Sequence, residues 1–147
     1  MCQALQRMSM CLWSNNKMNQ NYLSLAIFST LLIICTSSIP DKTLLENESL
    51  SGQIISDLAH IPAYALLSFL WLKSFAVTES KSNIIIFSLI LSGLVLVAVS
   101  DEIHQSFVPG RTASPIDIVF DLIGILFGLW TFKLFRMFTS EVSFGRK

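Results

Sequence analysis

Tyr22–Ile39 runs for 18 positions, and Ile84–Ser100 for 17, without one charged residue. Nothing else in the chain limits its fold as tightly. A helix crossing a hydrocarbon core of about 30 Å needs roughly 20 apolar residues at 1.5 Å each. Two further segments approach that condition. Leu58–Val77 is apolar apart from His60 and Lys73, and Ile116–Phe135 apart from Asp117, Asp121 and Lys133. A soluble bundle would carry a polar stripe every three or four residues, and the first and third runs have none. A lipid-facing barrel strand would alternate polar and apolar residues, which these do not. Helices satisfy their own backbone hydrogen bonds, as lipid demands. The expected fold is all-α: a polytopic membrane protein of four helices, with spans at about 22–39, 58–77, 84–100 and 116–135. They form one membrane domain, residues 22–136, between a lead (1–21) and a tail (137–147).

Charge placement gives an orientation. Of the ten Lys and Arg residues, Arg7, Lys17, Lys73, Lys81, Lys133, Arg136, Arg146 and Lys147 fall on one side, and Lys42 and Arg111 on the other. The positive-inside rule then puts both termini in the cytoplasm. The acids Asp41, Glu46, Glu48, Asp57, Asp101, Glu102, Asp117 and Asp121 take the outer side. The lead reads as a short cytoplasmic segment, with Met18 as an alternative start. A cleaved signal peptide is the rival reading, but the apolar run is long for a signal core. Cys2 and Cys11 are then cytoplasmic and Cys35 lies in the first span, so no disulfide framework is expected.

Ionisable residues crowd into the interval between the last two runs. Asp101, His104 and Gln105 share one stripe if the third helix continues that far. Asp117, Asp121, Gly124 and Gly128 are spaced i, i+4, i+7, i+11 and form one stripe on the fourth. Asp57, His60 and Tyr64 do the same on the second. Three helices thus aim polar faces at one volume near the outer interface. Several of these residues have ordinary structural roles. Ser114-Pro115-Ile116-Asp117 reads as a helix start, with Ser as N-cap, and Ser56 and Asp57 as a cap for the second span. Val108-Pro109-Gly110-Arg111 suits a type II turn. Gly124 and Gly128 form a GxxxG pair, suited to close helix packing and to a homo-oligomer contact. Tyr64 fits an interface aromatic.

Asp121 resists such readings. It lies six residues past Pro115, about 9 Å into the helix. An ionised Asp at mid-helix costs about 2.5–3.5 kcal/mol on insertion scales. It must therefore be protonated, or face the bundle and meet a partner. His60, about one turn into its span, is the matching oddity. Arg111, the one strong cation near these acids, is a counter-ion for Asp101, Glu102 or Asp117, or a clamp for phosphate or carboxylate. The start of the fourth helix adds free N–H groups that favour an anion.

The stretch "HIPAYALLSFL", followed by "SDEIHQSFVPGRTASPIDIVFDLIGILFG", closely resembles the VanZ-like family of bacterial membrane proteins. The likeness covers about Asp57 to Leu129. Its specific part is the pattern SDE-x-x-Q-x-F-x-x-x-R-x-x-x-x-x-D with the trailing glycines. Two departures stand out: "SDLAH" lacks the lysine that often precedes the histidine, and Asp121 stands where Asn is common. The resemblance implies a small helical membrane protein. The family's name comes from a protein linked to resistance toward teicoplanin, an antibiotic that acts at the cell surface.

The leading functional expectation is a cell-envelope protein whose outer pocket binds or modifies a lipid head group or envelope precursor. In its enzymatic form His60 or Glu102 is the general base, with Asp101 and Asp121 as further catalytic candidates. Arg111, Gln105, His104, Asp117 and Tyr64 are the binding candidates. No cofactor is expected. Glu102-Ile103-His104 lacks the HExxH spacing, so a metal-dependent membrane hydrolase is an alternative and not the first choice. A non-enzymatic binding or scaffold protein is another, and a proton-coupled transporter a more distant one. No basic face supports nucleic-acid binding.

Overall fold

The computed structural model describes residues 18–40, 50–75, 81–111 and 114–144, with side chains described over 18–40, 58–75, 84–111 and 114–139. The lead before Met18, with Arg7, Lys17, Cys2 and Cys11, lies outside the described residues, as do Asp41, Lys42, Glu46, Glu48, Arg146 and Lys147. Four helices make up the described chain: α1 (Gln20–Ser37), α2 (Leu50–Ser74), α3 (Lys81–Gln105) and α4 (Pro115–Phe144). No strand occurs among the described residues. The all-α expectation holds.

Three helices contain stretches long and apolar enough to cross a membrane: Gln20–Ser37, Ile84–Gln105 and Pro115–Thr139. The part of α2 with described side chains, 58–74, is shorter than these stretches. α2 carries His60, Ser68, Lys73 and Ser74 along its length. It can carry them because it is the enclosed helix, packing most extensively against α4 and next against α1. Tyr64, Leu67, Leu94, Ala98 and Ile125 form the larger core cluster, and Leu72 and Phe132 a smaller one toward the other end. The outer faces are apolar. Phe28, Leu89, Leu96 and Leu126 are all more than half exposed, a surface suited to hydrocarbon and not to water.

The element boundaries correct the sequence reading at one place in particular. α2 starts at Leu50, eight residues before the expected 58, so Ser56 and Asp57 lie inside the helix and not at its start. The α4 start follows expectation. Ser114 Oγ accepts from the Ile116 amide at 3.3 Å, and the Asp117 amide donates to the Ser114 carbonyl at 2.9 Å. Asn19 caps α1 in the same manner, its side chain accepting from the amides of Asn21 and Tyr22.

The seam between α2 and α4 is built on small residues. A Cβ at Gly124 would lie 2.5 Å from the Ile61 carbonyl oxygen, and one at Gly128 would overlap the Ala65 carbonyl and the Ser68 hydroxyl. Only glycine lets the two backbones come this close. The pair therefore serves a contact between two helices of one chain. Ser68 adds a polar link: its hydroxyl is 3.2 Å from the Ile125 carbonyl across the seam and 3.1 Å from the Ala65 carbonyl of its own helix. At the far end, the Asn19 amide donates to the Ser74 carbonyl at 2.8 Å. There the Lys73 ammonium sits 3.7 Å from the centre of the Phe135 ring and 5.6 Å from that of Tyr22, as cation–π attraction favours.

Candidate functional site

The other end of the bundle, where α1 and α3 finish and α4 begins, holds the polar residues. α3 continues through Gln105, so Asp101, Glu102, His104 and Gln105 are helical and follow directly on the apolar run. Periodicity then divides them. Asp101, Glu102 and Gln105 are buried, while Ile103 and His104 are exposed. On α4 the expected stripe is the buried face: Asp117, Asp121, Gly124 and Gly128 all turn inward.

Asp121 meets His60. Its Oδ1 is 2.9 Å from His60 Nδ1, and the carboxylate is 1% exposed. Of the two ways for such a residue to be accommodated, the structure takes the inward one, with a partner on a neighbouring helix. One turn further along α2, the Tyr64 ring stacks on His60, with centroids 6.3 Å apart and planes 7° from parallel. Tyr64 is fully buried. Asp101 and Glu102 from α3 lie close enough to act electrostatically on this group. Asp101 acts on His60, Tyr64 and Asp121, and Glu102 acts on Tyr64 and is itself influenced by His60 and Asp121. His60, Tyr64, Asp101, Glu102 and Asp121 thus converge from three helices.

A second network joins α3 to the end of α1. The Ser37 hydroxyl donates to Asp101 Oδ2 at 2.9 Å, and Gln105 Nε2 donates to the same oxygen at 2.9 Å and lies 3.4 Å from Ser37 Oγ. Asp101 is therefore held by two donors on one oxygen. At the rim, Ser38 Oγ and His104 Nε2 are 2.9 Å apart. Ser37 and Ser38 were not among the expected site residues. They stand 64 and 66 positions from their partners, and nothing in their own neighbourhood marks them.

Arg111 is placed by the turn before it. The Arg111 amide donates to the Val108 carbonyl at 3.2 Å, and Gly110 has φ 85°, the positive value a type II turn requires at that position. The guanidinium then reaches back to α1. Nη2 donates to the Thr36 carbonyl at 3.0 Å and Nε to the Ile39 carbonyl at 3.4 Å. These carbonyls belong to a helix end, where acceptors are left over. Arg111 therefore fastens the α3–α4 turn to the C-terminus of α1. Asp117 is buried in the first turn of α4, and Asp57 lies in the part of α2 whose side chains are not described. Among the described residues, no group of three or more His, Cys, Asp or Glu side chains is placed to hold a metal ion.

The sequence model of the VanZ/LLP1 family matches residues 4–136, and the chain belongs to that family. No curated protein and no solved structure matches it.

Proposed function

We propose that this chain is a four-span protein of the bacterial inner membrane with both termini in the cytoplasm. Its outward-facing polar pocket binds or modifies a lipid head group or an envelope precursor. The buried His60–Asp121 pair is the observation that carries this reading. An acid and a histidine set into apolar helices are costly unless they serve a purpose there. They sit at the end of the bundle where an amphiphile would present its polar part.

The geometry supports specific roles. An Asp121 carboxylate accepting from His60 makes Nδ1 the protonated nitrogen, which leaves the Nε2 lone pair as a general base. Tyr64 stacking fixes the ring plane, and Glu102 is the second candidate base. Arg111 has donors beyond the two engaged by α1, and with the α4 N-terminus they suit a phosphate at the rim. Gln105 positions Asp101, and His104 stands at the rim.

The test is complementation of a strain lacking the protein, comparing Arg111→Lys and His60→Ala with wild type at equal membrane levels. Lost activity at unchanged abundance supports the pocket, and full activity in both removes its chemistry. A second reading rests on the same pair, because it also ties α2 to α4. If that tie is its only task, His60→Ala lowers membrane abundance, and whatever protein remains is fully active.

A further inference from the structure

Among the described residues, the Tyr64 hydroxyl, Asp101 Oδ1 and Glu102 Oε1 are buried at this end without a hydrogen-bond partner. Each belongs to a side chain at least nine-tenths buried. A buried polar group left unsatisfied costs about 1–3 kcal/mol, so three together need a physical reason. Asp101 and Glu102 are adjacent on α3 and both act electrostatically on Tyr64, so the three side chains belong to one polar group. None is within hydrogen-bond reach of another. The inventory is unbalanced: two carboxylate oxygens seek donors, and the one hydroxyl can give a single proton. The nearby cation, Arg111, has two of its nitrogens turned to the α1 carbonyls. Beyond His60, already engaged by Asp121, these acceptors suit a positively charged group carrying several donors. An ammonium carries three.

Beneath this polar group lies an apolar groove of about 340 Å³ between α1, α2 and α3, lined by Thr30, Trp71, Ile86, Leu89, Gly93 and Val97 among others. Its upper edge, Val97, is one helical turn before Asp101. Ile86 to Val97 spans about 16 Å at 1.5 Å per residue, roughly the depth of one leaflet of a core about 30 Å thick. The groove opens to the surface of the bundle, on faces that are otherwise apolar. Trp71 Nε1 is satisfied by Thr30 Oγ1 at 3.3 Å, so the groove wall presents hydrocarbon and no unmet donor from the indole.

We infer that the site takes the protonated amine of a lipid head group, with one hydrocarbon chain of that lipid lying in the groove below. The inference rests on the head-group reading above and narrows it to an amine. Polar atoms and groove are in register along α3: acceptors at Asp101 and Glu102, then apolar lining from Val97 downward. An amphiphile with a cationic tip fits that order.

The experiment is native mass spectrometry of the full chain in detergent, titrated with phosphatidylethanolamine, with phosphatidylglycerol of identical chains, and with free ethanolamine. The expected result is binding of the amine lipid about tenfold tighter than phosphatidylglycerol. Glu102→Gln abolishes that preference, and Tyr64→Phe, which keeps the packing, reduces it. Gly93→Leu, which fills the groove, weakens both lipids alike. Equal or tighter binding of phosphatidylglycerol, still dependent on Tyr64, overturns the amine inference and leaves the head-group pocket standing. Free ethanolamine binding as tightly as the lipid overturns the chain site. No saturable binding of either lipid by the wild-type protein overturns both the inference and the reading it rests on.

Discussion

The α2–α4 seam and the side where α1, α2 and α3 meet are made from the same kinds of residue, yet one is closed and the other open. Gly124 and Gly128 sit under the α2 backbone with no room for a methyl group, whereas the Cβ position at Gly93 has nothing within 4 Å. In lipid, apolar side chains gain little by touching one another instead of the bilayer, so close packing needs small residues and polar links. The seam has both, in the two glycines, the Ser68 hydroxyl and the His60–Asp121 pair. The α1–α3 side has a glycine without a facing backbone, and it stays open as a groove. One side of the bundle is therefore a fixed frame that holds the pair in position, and the other is left open.

This contrast can be broken at the seam first. Asp121→Ala leaves His60 facing a buried space without its acceptor. The expected loss is about 3 kcal/mol, read as a lower thermal midpoint in detergent and lower membrane abundance. Asp121→Asn keeps an acceptor oxygen for Nδ1–H and recovers most of that stability. Gly128→Ala comes next. Its methyl group meets the Ala65 carbonyl and Ser68 hydroxyl, and overpacking of this kind costs about 1–3 kcal/mol by the same measurement. Ser68→Ala removes one hydrogen bond across the seam, worth about 0.6 kcal/mol in a membrane bundle. Gly93→Ala has the smallest effect and the opposite sign: with open space around it, the better helix former adds about 0.5 kcal/mol. Equal losses for Gly93→Ala and Gly128→Ala would erase the difference between the two sides.

Local features carried well from sequence to structure. The charge-free runs became helices, the Pro109-Gly110 turn closed as a type II turn, and Ser114 capped α4. Spacing alone put Asp117, Asp121, Gly124 and Gly128 on one face, which is the buried one. The cost of an acid at mid-helix implied an inward Asp121 if it was to be charged, and the structure supplies His60. Boundaries and distant partners were harder to read. α2 begins at Leu50 because a helix can extend past the lipid boundary through polar residues, which apolarity cannot register. Arg111 was expected among acids, but the turn aims it at the α1 C-terminus, 72 and 75 positions earlier. Ser37 and Ser38 entered the site only because α1 ends beside α3. Such contacts are set by how helices stack, and no local pattern encodes them.

A double-mutant cycle on His60 and Asp121 tests the central claim most directly, that polar groups from separate helices meet in one buried site. His60→Ala, Asp121→Ala and the double variant are compared with wild type by thermal or steric-trap unfolding. The two residues are in contact, so the account predicts a coupling of about 1–3 kcal/mol, the second substitution costing little once the first is made. Effects that add to within about 0.5 kcal/mol would mean the two side chains do not share a site, and would contradict it.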